Sequence, residues 1–217
     1  MNDTFKAVLT LTAVTAAAGF VIAFYHSSAA KLIASQTLRH ERSALDQVFG
    51  PGVRIIDTSG SGSPPIHFWI GKKDTAVIGY AFLIETAGYS GPIRAVVGID
   101  TGGTIMGLVI LSHNETPAVG GRMDERISKR TIWNGFITRA ETLRPWFTEQ
   151  FKGLSVNKPL SVGAVSEWPC LSDAEKKELI DKNAISAISG ATVSSRAIVR
   201  GIGKAANCFA ALRGARQ

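Results

Sequence analysis

The sequence predicts an α+β protein in which a single N-terminal transmembrane helix precedes a mainly antiparallel sheet flanked by helices. Three observations carry this prediction. Residues 7–25 contain no charged side chain, four short apolar runs follow between residues 66 and 113, and the last 24 residues contain an amphipathic pattern. The predicted division is a cytoplasmic stub and membrane anchor over 1–30, a helical stalk and loop over 31–65, and the main domain over 66–217.

Composition places the chain among globular proteins with an appendage. It has 217 residues, 45% of them hydrophobic, and 24 basic against 17 acidic side chains give a net charge of +7. An excess of basic groups fits nucleic acid, an anionic membrane surface or an acidic partner. The basic residues are scattered and the N-terminus is apolar, so nucleic acid is not expected as a partner.

The uncharged stretch from Ala7 to Tyr25 spans roughly 28 Å as a helix, close to the thickness of a bilayer core. A retained single span is the first interpretation. A cleaved signal peptide is the second, because Ser27 to Ala30 offers small residues for a peptidase, and a buried core helix is the third. Charge counting favours a cytoplasmic C-terminal side, whereas the short stub before the span favours export of the domain, and we expect export.

Residues 32–113 show patterns that are typical of one helix, one loop and four strands. Leu32 to Val48 carries helical apolar spacing that ends at Gly50 and Pro51, and Asp57 to Pro65 reads as a loop. The apolar runs at 66–71, 76–85, 93–100 and 104–113 predict an antiparallel meander covered on both faces.

Three helices are predicted after the meander. A short one lies within Arg144–Gly153, and Ser172 with Glu175 has the spacing of a capping box. The last runs from about Ser194 to Arg213, with an apolar face of Ile198, Ile202, Ala205, Phe209 and Leu212.

The segment ISGATVSSRAIV, residues 188–199, lies at the start of that last helix. The first turn of a helix carries unpaired N–H groups and partial positive charge, so it favours an anion such as phosphate. An ordinary Ser/Thr cap explains the same residues, and the residues alone leave both interpretations open. The candidate phosphate ligands are Ser189, Gly190, Ala191, Thr192, Ser194 and Ser195, with Arg196, Arg200 and Lys204 as a basic stripe beside them.

The segment SGATVSSRAIV, after a membrane-anchored α+β domain, resembles the flavinylation motif of covalent FMN-binding domains. These domains occur in the G subunit of the bacterial Rnf electron-transport complex and the C subunit of the sodium-pumping quinone reductase. The resemblance extends to residues 88–100, 103–111 and 113–120, where HNETPAVG is similar to an ETPGLG loop. It implies that Thr192 is esterified to the FMN phosphate and that Glu115, Thr116 and Pro117 form a wall for the isoalloxazine.

Two positions depart from the family pattern. Ser186 stands where an acidic residue is frequent three positions before the motif serine, which predicts weaker recognition by the attaching enzyme. Ala118 and Val119 replace the usual Gly and Leu, and alanine is harder to accommodate than glycine where φ is positive.

The resemblance implies a membrane-bound electron carrier of the bacterial inner membrane, with its soluble domain on the periplasmic side. It would belong to a complex that couples electron transfer between ferredoxin and NADH to ion translocation. Its partners would be the bilayer, the other membrane, flavin and iron–sulfur subunits, and a flavin transferase. No catalytic residues of its own are expected. The alternatives are a non-redox exported module that binds an anion or a partner, and the homologous subunit of a Na+-translocating quinone reductase.

Other reactive side chains point to no further site. Cys170 and Cys208 lack metal-type spacing and are expected to be small buried residues or one disulfide. His113 has no second ligand nearby in sequence, so no metal is expected.

Overall fold

A 47-residue helix, α1 (Asp3–Phe49), begins the chain. The computed structural model describes residues 3–59, 67–126, 145–163 and 166–214. The described chain forms two compact units, Met1–Arg42 and Ser43–Gln217, and α1 contributes residues to both. In the first unit, Phe5–His26 has a mean hydropathy of 2.1 and none of it is buried, so its length and composition suit a membrane span.

The threonines of this span do not interrupt its apolar surface. The hydroxyls of Thr10, Thr12 and Thr15 donate to the carbonyls of Lys6, Val8 and Leu11 at 2.8–2.9 Å. A hydroxyl that bonds back to its own helix needs no water partner. The span therefore presents its polar groups inward to its own backbone.

The predicted end of the stalk helix is confirmed. The last residue of α1 is Phe49, and Gly50 adopts φ +83° while its N–H donates to the Asp46 carbonyl at 2.9 Å. Glycine takes this left-handed conformation without the Cβ clash that other residues meet, and Pro51 cannot continue the helix.

Five strands form one antiparallel sheet in the order of the chain, so the predicted meander is confirmed. The strands are β1 (Arg54–Ser59), β2 (His67–Lys73), β3 (Ala76–Ala87), β4 (Pro92–Asp100) and β5 (Ile105–Ser112). Strand β1 was not predicted, and the loop expected from Asp57 was wrong over residues 57–59. Residues 60–65 of that loop lie outside the described residues. Only Ile55 and Ile56 of the six β1 residues are apolar, which is why its sequence signal is weak.

Both faces of the sheet are covered, as the continuous apolar runs predicted. On one face Ala44, Leu45, Val48 and Phe49 of the second unit pack against Trp69, Ala81 and Val96. On the other face Tyr80, Phe82 and Val97 pack with the apolar side of the C-terminal helix. The neighbours Ala81 and Phe82 belong to opposite clusters because successive side chains of a strand alternate between faces.

The remaining elements lie after the sheet. They are α2 (Trp146–Glu149), β6 (Ser161–Gly163), α3 (Asp173–Asp181), β7 (Ala184–Ser186) and α4 (Thr192–Gly214), with short 3-10 turns at Gly120–Asp124 and Trp168–Cys170. The capping box is confirmed, since Ser172 Oγ accepts from the Glu175 N–H and the Glu175 carboxylate accepts from the Ser172 N–H. Strands β6 and β7 pair in parallel, and β7 leads directly to the turn before α4.

Helix α4 confirms the predicted amphipathic helix and begins two residues earlier than predicted. Ile198, Ile202, Ala205 and Phe209 are at most 1% exposed and face the sheet, while Leu212 packs at the margin of the core. The predicted fold class is therefore correct: an apolar N-terminal helix, an antiparallel sheet and flanking helices.

Helix α1 approaches the sheet closely at Gly98, so we expect stability to depend on the size of the residue at this position. A Cβ atom at Gly98 would overlap the Val48 Cγ1 methyl, whereas a Cβ at its cross-strand partner Gly107 would meet Val48 only at 3.8 Å or more. Gly98→Ala should therefore lower the free energy of unfolding by about 1–3 kcal/mol, the usual cost of overpacking.

Chemical denaturation of the detergent-solubilised chain, followed by circular dichroism, measures this effect. Gly107→Ala is the matched control and should cost less than Gly98→Ala. Adding Val48→Ala to Gly98→Ala should recover part of the loss by opening the space. If the double variant loses more free energy of unfolding than the two single variants lose together, the overlap with Val48 is not the cause of the loss.

Candidate functional site

The turn that joins β7 to α4 is closed by hydrogen bonds of its own residues. Gly190 adopts φ +74°, and the Ala191 N–H donates to the Ile188 carbonyl at 2.9 Å. The buried Ser195 hydroxyl accepts from the Ile188 N–H at 3.1 Å and donates to the Ala191 carbonyl at 3.0 Å. Ser195 therefore braces the turn against the first turn of the helix.

The first turn of α4 leaves backbone donors for an anion. The Ser195 N–H donates to the Ala191 carbonyl and makes the first intrahelical bond. The N–H groups of Thr192, Val193 and Ser194 precede it and have no earlier helical carbonyl to donate to. Together with the positive end of the helix dipole, these groups favour a bound phosphate.

The structure separates the hydroxyls of the segment into two sets. Ser189 and Thr192 are exposed, whereas Ser194 and Ser195 are at most 1% exposed and already hydrogen-bonded. The Ser194 hydroxyl donates to Glu115 Oε2 at 2.8 Å. Of the predicted hydroxyls, Ser189 and Thr192 are therefore the two at the surface, and Thr192 is the one on the first turn of the helix.

A cleft of about 320 Å³ lies beside Thr192. It is bounded by β6, by the segment at Ser166 and Glu167, and by the turn from Ala187 to Gly190. Arg196, one helical turn after Thr192, also lines it. Side chains four residues apart lie on the same face of a helix, so Arg196 presents positive charge on the side of α4 that carries the Thr192 hydroxyl.

A charged pair at the edge of this cleft was missed by the sequence-based predictions. Arg122 Nη1 and Nη2 donate to the two Glu167 carboxylate oxygens at 2.6 and 2.9 Å, and Glu167 Oε1 also accepts from the Ser189 N–H at 3.0 Å. Arg122 Nε donates to Glu125 Oε2 at 2.9 Å. Arg122 and Glu167 are 45 positions apart, and no spacing rule connects them. The pair fixes the turn that contains the SGAT sequence.

The pKa values of this pair follow from the same contacts. Hydrogen bonding from Arg122 lowers the pKa of the Glu167 carboxyl, burial opposes that effect, and the Ser189 N–H and the charge of Arg122 lower it further. The pKa of Arg122 is raised, chiefly by its hydrogen bond to Glu167. Glu167 is therefore an anion at neutral pH, paired with a guanidinium in the fork geometry that suits a carboxylate.

The ETP loop lies beside the turn before α4, but its three residues do not share one environment. Glu115 is 7% exposed, whereas Thr116 and Pro117 are exposed. Ala118 takes φ +62°, the positive φ at which alanine is harder to accommodate than glycine. Val119 Cγ1 would lie 3.7 Å from a Cβ at Gly190, which places this loop against the SGAT turn.

The remaining candidate side chains have structural environments. His113 Nε2 lies 2.9 Å from Asp124 Oδ2, and no cluster of three metal-ligating side chains occurs among the described residues. Both cysteines are free, so the disulfide alternative is wrong. Cys170 is exposed, contrary to the expected burial, because it ends the 3-10 turn at Trp168–Cys170, whose residues are not buried. Burial raises the pKa of the Cys208 thiol.

The lowered pKa of Glu167 predicts a pH-dependent stability. Because the folded-state pKa lies below its ordinary value of 4.5, the stabilisation is fully present above about pH 4.5 and is lost as pH falls through the folded value. Denaturation at a series of pH values between 7 and 3 should show a shallower acid-side loss for Glu167→Gln than for the unmodified chain. Glu178→Gln removes an exposed helix ion pair and is the control; equal slopes for all three proteins would contradict the assignment.

Known proteins with related sequences include G subunits of ion-translocating complexes. The chain is 29% identical to the G subunit of the ion-translocating oxidoreductase complex of Salmonella typhi, over 61% of this chain and 73% of the relative. It is 32% identical to the corresponding G subunit of Haemophilus influenzae, over 66% and 55%. It is 29% identical to the G subunit of the Na(+)-translocating ferredoxin:NAD(+) oxidoreductase complex of Acetobacterium woodii, over 63% and 52%. The chain spans about half the length of the last two relatives, and the predicted resemblance to the G subunit is confirmed.

Two solved structures are similar over most of the chain. The C subunit of the Na(+)-translocating NADH-quinone reductase of Parabacteroides distasonis matches with a TM-score of 0.44 and 20% identity, over 64% of this chain and 58% of the other. NqrC of Shewanella oneidensis matches with a TM-score of 0.44 and 17% identity, over 75% and 66%.

The family model described as the FMN-binding domain matches residues 88–207, more than half of the chain. The matched range begins at the turn between β3 and β4 and ends within α4. It therefore contains the ETP loop, the Arg122–Glu167 pair, the cleft and the SGAT turn. The expected cofactor, FMN, is supported by this match. The chain belongs to the FMN-binding domain family.

Proposed function

We propose that FMN is attached covalently to the Thr192 hydroxyl through a phosphodiester. The observation that supports the proposal is the different exposure of the hydroxyls in the motif. Thr192 is exposed on the first turn of α4, whereas Ser194 and Ser195 are buried and already hydrogen-bonded. A phosphate on Thr192 lies at the positive end of the helix dipole, beside the donors of the first turn. The residues of the site therefore suit the phosphate end of FMN.

The attachment requires a donor and an enzyme outside this chain. With FAD as donor, the Thr192 oxygen attacks the phosphorus of the FMN half, the new O–P bond forms, and the pyrophosphate bond breaks. AMP leaves, and the threonine proton is released to the transferase or to solvent. The chain has to supply only an accessible hydroxyl, so a separate flavin transferase is part of the proposal.

The bound flavin supplies the redox chemistry, and the protein supplies position and electrostatics. The cleft beside Thr192 is the place we assign to the flavin, with Arg196 next to the phosphate. Thr116 and Pro117 are exposed in the loop that contacts the SGAT turn and stay candidates for the outer wall. The Arg122–Glu167 pair holds the cleft edge without leaving an uncompensated charge there.

The similarity to G subunits supports a membrane-anchored electron carrier within an ion-translocating oxidoreductase complex. Residues 1–30 form the stub and anchor, 31–65 the stalk and loop, and 66–217 the FMN-binding domain in this proposal. The soluble domain lies on the periplasmic side of the bacterial inner membrane and exchanges electrons with flavin or iron–sulfur subunits of the complex.

The covalent link predicts flavin that survives denaturation. The full chain, expressed with a flavin transferase and then unfolded in denaturant and run on a gel, should keep flavin fluorescence. Thr192→Val should lose it completely, because the variant keeps the shape of the side chain but has no hydroxyl. Ser189→Ala, the other exposed hydroxyl of the segment, is the matched control and should keep it. Fluorescence retained by Thr192→Val would rule out this attachment site.

The proposed orientation predicts which side of the membrane exposes the domain. Protease added to intact spheroplasts should degrade the domain, whereas inside-out vesicles should protect it. A cytoplasmic marker protein that stays intact in the spheroplasts is the control. Degradation only in inside-out vesicles would place the domain in the cytoplasm and overturn the orientation.

A further inference from the structure

A buried carboxylate connects the ETP loop to the first turn of α4. Glu115 lies in the loop after β5, yet only 7% of it is exposed. Glutamate is almost never buried without partners, because removing a carboxylate from water is costly. The partners of Glu115 therefore indicate what the residue does.

The two oxygens of Glu115 bind two different segments. Oε1 accepts from the Tyr89 N–H at 2.7 Å and from the Ser90 N–H at 3.4 Å, both in the turn between β3 and β4. Oε2 accepts from the Ser194 hydroxyl at 2.8 Å, on the first turn of α4. One side chain thus ties together a turn 26 positions earlier and a helix 79 positions later.

Two glycines make the space for this carboxylate. A Cβ atom at Gly88 would overlap Oε1, and a Cβ at Gly120 would lie 2.6 Å from Oε2 and 3.0 Å from Ser194 Oγ. Neither glycine has a positive φ, so their backbone conformations do not require glycine. The two glycines are needed for space, because a side chain at either position would collide with the Glu115 carboxylate.

The donors around Glu115 suit a carboxylate better than an amide. All three groups that face it are donors, and an ionised carboxylate has only acceptor sites. A glutamine amide would turn its NH2 group either toward the N–H groups of the β3–β4 turn or toward the Ser194 hydroxyl. Turned toward the β3–β4 turn, it would leave the Tyr89 and Ser90 N–H groups without their acceptor. Turned toward Ser194, it could donate to the hydroxyl, which would then have to place its own proton elsewhere, and the bonds that remain would lose their charge assistance.

We propose that Glu115 is a positioning residue that fixes the first turn of α4 and thereby the presentation of Thr192. The role differs from the flavin wall implied by the family resemblance, because both carboxylate oxygens bind protein donors. It rests on the proposed attachment at Thr192. Its structural part, the fixing of the α4 first turn, stands independently of any flavin.

The test combines amide hydrogen exchange with the rate of flavin attachment, both on the full detergent-solubilised chain. The slot variants, named for the space that Glu115 and Ser194 occupy beside Gly120, are Glu115→Gln, Ser194→Ala and Gly120→Ala. The last of these fills that space with a methyl group and keeps both Glu115 and Ser194 in the sequence. Thr86→Val is the matched control, because the Thr86 hydroxyl makes another buried bond from the sheet to α4, to the Ala197 carbonyl at 3.0 Å. It removes a contact of similar kind away from the first turn.

We expect the three slot variants to exchange at least about tenfold faster in residues 188–195, with a similar slowing of attachment per folded molecule. Thr86→Val should leave both quantities unchanged at that segment. The Glu115→Gln/Ser194→Ala double variant should exchange and attach flavin at about the rates of the more affected single variant. Both changes act on the same hydrogen bond between Glu115 and Ser194, so their effects should not add. Ser194→Ala, the mildest change, keeps the test valid if Glu115→Gln does not fold.

Three outcomes would overturn the proposal. Exchange of residues 188–195 unchanged in all slot variants would show that Glu115 does not hold the turn. If Thr86→Val changed hydrogen exchange and flavin attachment as much as the slot variants do, the changes would reflect a general loss of stability and not the role of Glu115. Attachment lost in Glu115→Gln with normal exchange would assign Glu115 a direct contact instead. If the unmodified chain attaches no flavin, the proposed attachment at Thr192 is wrong. The hydrogen-exchange measurements then still test whether Glu115 fixes the first turn of α4.

Discussion

The packing of helix α4 on the sheet is the constraint on which the candidate site depends. Ile198, Ile202 and Phe209 are almost fully buried against the sheet, and the free energy of burying such side chains is about 1.5–3 kcal/mol each. Because these anchors fix the rotation of α4 about its axis, they also decide which side chains of its first turn face inward. Core packing therefore determines which side chains form the site, and the polar contacts then fix their positions.

The rotation of α4 explains why neighbouring hydroxyls have different roles. Ser194, Ser195, Ile198 and Ile202 lie on the buried side, whereas Thr192, Arg196 and Arg200 follow one another at four-residue intervals on the exposed side. The inner serines bind Glu115 and the turn before the helix, and the outer threonine stays accessible. A sequence that places polar residues on both sides of one helical turn thus provides internal support and an accessible hydroxyl within four residues.

The sequence predicted elements whose signal is local and periodic. The apolar N-terminal helix, the strands β2 to β5, the capping box at Ser172 and the apolar face of α4 each show their pattern within a short window. Strand β1 carries little apolar signal because only Ile55 and Ile56 of its six residues are apolar. The Arg122–Glu167 pair and the partners of Glu115 join residues distant in the chain, and only the fold brings them together. The choice of Thr192 among the hydroxyls came from a family resemblance, since the residues alone also fit an ordinary helix cap.

Ser186, one of the two departures from the family pattern, has a structural role in this chain. It is fully buried in β7, and its hydroxyl donates to the Ser166 carbonyl at 2.7 Å. Its backbone is held by Gln150, whose Oε1 accepts from the Ser186 N–H at 2.7 Å and whose Nε2 donates to the Ser186 carbonyl at 3.0 Å. An ionised acid at this position has no proton to donate and would direct lone pairs at that carbonyl. Because Ser166 lines the cleft beside Thr192, the serine hydroxyl ties β7 to the cleft wall in a way that an acidic residue cannot.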